Sequence, residues 1–272
     1  MNTKTLMLLG ALTCVLAGCG SGGSPTTTTP PPVGIHIYVA NFGTNAVLTE
    51  SLPGSQDGAI TGLNGPIALA FDSAGTLYVG SKTDNNVVKV TSAGAISTFV
   101  SKVNGPYGEA VDASGNLYVT SRTDGTILKV APDGTSTTFA TGLAAPTVLA
   151  FDHNGFLYAA NTGTSQILKF APDGTSTPFV NGVTGVTGIA FDSANVLYVV
   201  SSSGNAVYKV STSGALSFFA NGVVAPSGAV FDADGNLYVG DIGSNAISKI
   251  TPAGTVTSFA TGFSSPVALA LH

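Results

Sequence analysis

The chain has 272 residues, 44% of them hydrophobic but only 8% charged, with 35 Gly, 14 Pro, 2 Cys and no Trp. Soluble domains carry about 25% charged residues, so Ser, Thr, Asn and Gly must supply most of the polar surface here. Nine basic against fourteen acidic side chains give −5; this argues against a nucleic-acid partner, which needs clustered Lys and Arg, and two cysteines exclude a disulfide framework or a Cys-rich zinc site.

Residues 1–18 read as a secretory signal. One positive charge, Lys4, precedes an apolar run from Leu6 to Ala17 that is too short for a membrane span. The run ends in Leu16-Ala17-Gly18-Cys19, which resembles the lipobox of bacterial lipoproteins. Small residues there expose the backbone to the signal peptidase, and the Cys19 thiol is the nucleophile that takes up lipid. Cleavage before Cys19 discards Lys4 and Cys14 and makes the acyl chains the membrane anchor. Gly20 stands where an inner-membrane retention Asp would sit, so the expected location is the cell envelope, at the outer membrane where the cell has one. Residues 19–34, beginning with the lipidated cysteine and running through Thr and Pro, form a tether that is flexible at first and stiffer at its Pro-rich end.

From residue 35 to 272 the chain repeats every forty residues. Tyr38, Tyr78, Tyr118, Tyr158, Tyr198 and Tyr238 keep this step without drift, as do Asp72 to Asp232, Lys89 to Lys249 and Phe99 to Phe259. Each unit reads as four short strands. In the unit beginning at Pro106, Gly108–Val111, Leu117–Thr120, Ile127–Val130 and Ser136–Ala140 are separated by turn signals such as Asp112-Ala-Ser-Gly-Asn116 and Pro132-Asp-Gly134. Four strands per roughly 40 to 45 residues is the mark of a β-propeller blade. The chain starts with a second strand, 35–40, and stops with a first strand, 267–271. Pairing the two completes a sixth blade and removes the exposed edges of an open array. The expected fold is therefore all-β: a six-bladed propeller of four-stranded blades, closed by its own ends.

The unit Pro-x-Gly-x-Ala-x-Asp-x-x-Gly-x-Leu-Tyr-Val, clearest at Pro106–Val119 and Pro226–Val239, resembles the NHL repeat. The tail Gly-Asp-Ile-Gly-Ser-Asn-Ala-Ile at 240–247 is similar to that family's Ala-Asp-x-x-Asn-x-x-Ile segment. The resemblance covers all of 35–272, with a ragged stretch between Leu48 and Gly62. It implies a six-bladed propeller of a kind used by binding domains and by a few enzymes, among them the gluconolactonase group and the streptogramin B lyases. A fold of this kind does not specify an activity.

One face of the ring is expected to carry monotonous turns (DSAG, DASG, DHNG, DADG; PDG, PAG), the other the varied loops NFGTN, SKTDN, SRTDG, NTGTS, SSSGN and DIGSN. Beside the varied loops lie the residues entering each first strand: Ile67, Tyr107, Thr147, Thr187, Ser227 and Val267. A ligand site is expected there, at the channel mouth. The gluconolactonase resemblance implies a divalent cation held by Asn and Asp at those positions, and hard cations need several such oxygens, yet none of the six is Asn or Asp. The lyase resemblance implies His and Glu around a metal. The three His residues form no such set: His36 falls in the closing strand, His153 in a turn of the monotonous face, and His272 at the terminus. Asp232-Ala-Asp234-Gly-Asn236 suggests a calcium loop but occupies a standard turn position and lacks further ligands; no cofactor is expected, with calcium or another divalent metal the alternative.

Glu109 breaks the pattern, since its register-mates are Leu69, Leu149, Ile189, Ala229 and Leu269. As the weak candidate for catalysis it would act as a base or cation ligand; otherwise it faces channel water or pairs with Arg122 or Lys102. The candidate ligand-binding set is Tyr107, Glu109, Arg122, Asp124, Asn41, Asn161 and Asp241, the last three also suited to capping loops. The reading that follows is a monomeric, lipid-anchored envelope propeller acting as a non-catalytic module for a protein or glycan ligand. The alternatives are a metal-assisted hydrolase or lyase with a divergent site, and a structural spacer in an envelope complex.

Overall fold

The structure, a computed structural model, describes residues 35–272 except Pro53; the signal peptide, Cys19 and the tether lie outside the described residues. Six four-stranded antiparallel sheets form the body. Blade 2 is typical: Pro66–Phe71 innermost, then Leu77–Ser81, Asn86–Val90 and Ile96–Ser101 outermost. Around the ring the innermost strands are Pro66–Phe71, Glu109–Val111, Pro146–Phe151, Val186–Phe191, Pro226–Phe231 and Pro266–Leu271, each packed against the next.

The last of these belongs to blade 1. Pro266–Leu271 pairs antiparallel with His36–Asn41, joining Tyr38 to Ala270 and Val39 to Leu269. His36 and His272 exchange both backbone hydrogen bonds, at 2.7 and 3.0 Å. The ring thus closes by the strand pairing read from the offset of the chain ends. The ragged stretch of blade 1 is a regular outermost strand, Ser55–Ile60. Its irregularity is a bulge at Thr49/Glu50, where the other blades bulge two residues earlier, as between Val87 and Val88.

The periodic residues are the joints between blades. Tyr118 packs edge-on against Phe139 of its own blade and Phe151 of the next, at 4.9 and 5.1 Å between centroids; Tyr158 and Tyr198 repeat this with Phe179/Phe191 and Phe219/Phe231. Such pairs add about 0.5–1.5 kcal/mol to the burial of the rings. The tyrosine hydroxyl reaches the turn aspartate, as from Tyr238 to Asp232 at 3.2 Å, and the periodic lysine lies over the ring, Lys209 at 5.0 Å from Tyr198. The aspartate itself holds the first turn: Asp72 Oδ1 accepts the N–H groups of Ala74 and Thr76 at 3.0 and 2.8 Å. Five of the nine basic residues are therefore spent on architecture, which leaves few for a site.

Candidate functional site at the channel mouth

The varied face is built from two loops per blade that bond to each other. Backbone N–H groups of Lys82, Arg122, Ser202 and Gly243 donate to carbonyls of Gly65, Gly105, Gly185 and Val224 at 2.8–3.0 Å. The first residue of each five-residue loop is a cap. Asn41 Oδ1 accepts from Ser264 N–H (2.6 Å), Asn161 Oδ1 from Ala144 N–H (2.7 Å) and Asp241 Oδ1 from Val224 N–H (3.0 Å), while Ser201 Oγ donates to the Thr184 carbonyl at 2.8 Å. The last residue is left-handed: Asn45, Asn85, Asn205 and Asn245 have φ of 47–54°, a region Asn enters more readily than most side chains. Their side chains accept N–H groups of the neighbouring loop, as from Gly65 at 2.9 Å. With both ends committed, the free variation falls mainly on the second position: Phe42, Lys82, Arg122, Thr162, Ser202 and Ile242.

Below this rim the channel opens into a cavity of about 410 Å³. All six residues at the starts of the innermost strands line it, as do Glu109, Arg122, Thr162 and Ile242. Its walls are mostly apolar: Leu69, Val148, Leu149, Val186, Ile189 and Leu269. Two of its hydroxyls are straps between blades, Thr187 donating to the Pro226 carbonyl at 2.7 Å and Ser227 to that of Pro266 at 2.5 Å.

Departures from the repeat gather in one sector, over blades 1 to 3. On the rim Lys82 Nζ stands 5.6 Å from the Phe42 ring and 5.3 Å from the Tyr107 ring, and the Arg122 guanidinium lies 4.9 Å over Tyr107. Both cations are exposed and both rings half-buried. Beneath them the innermost strand of blade 3 is reduced to three residues, Glu109–Val111. The Gly108 N–H is satisfied by the Thr120 hydroxyl at 2.9 Å, and Thr120 replaces the Ala, Gly or Val that other blades have at this position. Gly80 of blade 2 faces the same spot; a Cβ there would meet the Pro106 carbonyl at 2.7 Å and Glu109 Oε1 at 3.0 Å.

Glu109 is 7% exposed, and neither carboxyl oxygen has a hydrogen-bond partner. It forms no ion pair with Arg122 or Lys102, and it is not a water-facing carboxylate either: the group is wedged in the seam between blades 2 and 3. Burial pushes its pKa up to about 8, because a charge without counter-charge or donors is unfavourable in an apolar seam. Glu50 is a second buried acid, raised to about 7 by burial and then by Asp57. It occupies the core position held elsewhere by Val90, Val130, Phe170, Val210 and Ile250, beside the His36–Asp57 contact of 2.8 Å, and does not line the cavity. Nothing in the repeat reading singled it out.

Of the sequence candidates, the structure brings Tyr107, Glu109 and Arg122 together at the cavity. Asp124 is turned to its own loop, accepting from the Ser121 hydroxyl at 2.6 Å and the Asn104 amide at 3.0 Å, bonds that hold its pKa below the usual range. Asn41, Asn161 and Asp241 are buried caps and do not line the cavity. Asp241→Ala is accordingly expected to lower stability by about 1–3 kcal/mol, the cost of leaving the Val224 N–H and Ser248 hydroxyl without their acceptor. Denaturant unfolding checks this. The loop Asp232–Asn236 is likewise committed: Asp232 Oδ1 accepts the N–H groups of Asp234 and Asn236, and Oδ2 accepts from the Asn236 amide and Tyr238 hydroxyl.

Among the described residues no group of three or more His, Cys, Asp or Glu is placed to hold a metal ion. His36 is paired with Asp57, His153 sits in a turn, and His272 stacks on Phe71 at 4.5 Å; none of the three lines the cavity. The residues present therefore do not fit a metal held by His and Glu.

Six four-stranded blades around a lined channel define a six-bladed β-propeller. The model of the virginiamycin B lyase family matches residues 56–269, and the chain belongs to that family. Among solved structures, a catalytically inactive His-to-Ala form of virginiamycin B lyase from Staphylococcus aureus with quinupristin superposes with a TM-score of 0.68 at 18% identity, over 86% of this chain and 83% of that one. The nidogen/laminin complex matches with a TM-score of 0.79 at 19% identity, over 88% of this chain and 98% of that one. Identities this low carry the fold alone. No curated protein matches the chain significantly.

Proposed function

We propose that the protein is a lipid-anchored module of the cell envelope that binds a protein or glycan ligand at its channel mouth without transforming it. The observation that carries this reading is the make-up of the cavity: apolar walls, one unpartnered carboxyl and an aromatic–cation rim in one sector. Acid–base or nucleophilic catalysis asks for two or more groups within hydrogen-bond reach of each other and of the reacting atom, and Glu109 has no such neighbour. The cavity volume falls within the range of small-ligand sites, so a projecting group of a larger ligand is what enters. Cys19 supplies the anchor, and the sixteen residues 19–34 reach roughly 50 Å when extended, enough to lift the ring clear of a membrane surface.

Thr147 is half-buried at the mouth, and Thr147→Trp narrows the site without touching a cap. Labelled protein applied to glycan and peptide arrays is expected to select a defined set, which the variant no longer retains. Retention unchanged in Thr147→Trp would place the binding surface elsewhere.

Membership in the virginiamycin B lyase family favours a second reading, a lyase with a divergent site around Glu109, Tyr107 and Arg122. Quinupristin, the compound bound by the S. aureus relative, separates the two. Chromatography after prolonged incubation is expected to recover it unchanged, and conversion abolished by Glu109→Gln would replace the binding reading with the catalytic one.

A further inference from the structure

Resting on the channel-mouth reading, we propose that the seam niche at Glu109 recognises a protonated amine, so that the ligand presents an ammonium group on an apolar body. Five blades place an aliphatic residue at this position, and the sixth places a carboxyl there that finds no donor from the protein. The niche is cut for it. Position 80 is glycine and the neighbouring Ala68 is small, which leaves room for the carboxyl in the seam, and both Ala68 and Glu109 bound the cavity, so the carboxyl lies at the cavity's edge. A carboxylate with both oxygens free accepts two or three N–H bonds from one ammonium group, and charge-assisted bonds of this kind are the strong ones.

A divalent metal fits less well. Calcium and magnesium take six or more oxygens and zinc four ligands, whereas a single carboxylate is all the niche supplies among the described residues. A neutral ligand would leave the acid protonated and gain one ordinary hydrogen bond. The rim cations Lys82 and Arg122 are held against the faces of Phe42 and Tyr107 and are exposed to solvent, which screens their repulsion of an entering ammonium. The walls beside the niche, Leu69, Val148 and Leu149, suit an apolar body.

The test is calorimetric titration of the full-length protein at pH 7 with 2-phenylethylamine and with 2-phenylethanol, which matches it in shape and lacks the charge. The amine is expected to bind at least tenfold tighter than the alcohol. That preference should vanish in Glu109→Gln and in Glu109→Leu, the second of which restores the residue of blades 1, 2 and 4 and so keeps the fold. Thr147→Trp should weaken both probes. Equal binding of amine and alcohol, both lost in Thr147→Trp, would overturn the ammonium assignment while leaving the channel site standing. An amine preference that survives both Glu109 variants would overturn it too. If neither probe binds, the ammonium assignment falls, while the channel site stands or falls with the array selection and its loss in Thr147→Trp.

Discussion

Glu109→Leu is expected to stabilise the protein, by about 3 kcal/mol at pH 7 and roughly 5 kcal/mol at pH 8 and above, with a much smaller gain at pH 4. The sign follows from the direction of the pKa change. In the unfolded chain the carboxyl loses its proton near pH 4.5; in the folded seam it holds the proton to about pH 8. Below pH 4.5 both states are protonated, folding takes up no proton here, and only the smaller cost of burying the neutral carboxyl without partners remains. Between 4.5 and 8 folding must take up a proton, and each pH unit costs about 1.4 kcal/mol. Above 8 the loss is complete. Leucine removes the titration and fills the seam as Leu69, Leu149 and Leu269 do in other blades. For a body of this size the gain at neutral pH corresponds to roughly 10 °C in Tm. Guanidinium unfolding of both proteins at pH 4, 7 and 9 tests it, and Glu50, unchanged in both, cancels from the difference. Curves separated by the same amount at every pH would show that Glu109 is solvated in the folded protein, and a gap that shrinks or reverses as pH rises would show that it is paired, either outcome contrary to its two unpartnered oxygens.

The second large effect concerns closure of the ring. Because His36 and His272 exchange both backbone hydrogen bonds, the alternation of an antiparallel ladder makes Ile37 and Leu271 a non-hydrogen-bonded pair. Cα atoms of such pairs lie about 4.5 Å apart, within disulfide range. Ile37→Cys with Leu271→Cys, in a background with Cys14 and Cys19 replaced by Ser, is expected to oxidise spontaneously. The bond closes a loop of roughly 230 residues, and the oxidised form should exceed the reduced form by up to roughly 5 kcal/mol through the restricted unfolded state. Comparing redox forms of one variant removes the cost of losing Ile37 from the core. Failure of the two thiols to join would mean that the first and last strands are not neighbours in solution, and the closed ring would have to be abandoned. Closure also bears on the site, since Phe42 and Val267 come from opposite ends of the chain and meet at the channel mouth only when blade 1 is complete.

Much of the fold was legible because a forty-residue repeat multiplies weak local signals. One Asp-x-x-Gly turn says little; four of them and one Asp-x-x-Asn at a constant step, each leading into Leu-Tyr, define a blade. The offset of the ends even dictated how the ring closes. The site was only partly legible. Register comparison found Glu109, Tyr107 and Arg122, since each departs from the residues at the same position of other units. It could not separate a side chain facing the channel from one turned to its own loop, so Asn41, Asn161, Asp241 and Asp124 looked alike until their partners were seen. Lys82 was passed over for the same reason: its position in a loop is visible, its place between two aromatic rings is not.

What the sequence by itself determined is the repeat, the strand order, the closing pair and the positions that break the pattern, because these depend on local turn chemistry and periodic burial. Only the tertiary structure decided that the breaks converge. Gly80, Glu109 and Thr120 lie on three strands of two blades and become one niche when the ring brings the innermost strands side by side. Whether a carboxyl is solvated, paired or left without a partner is a property of the space between blades, which no single repeat contains.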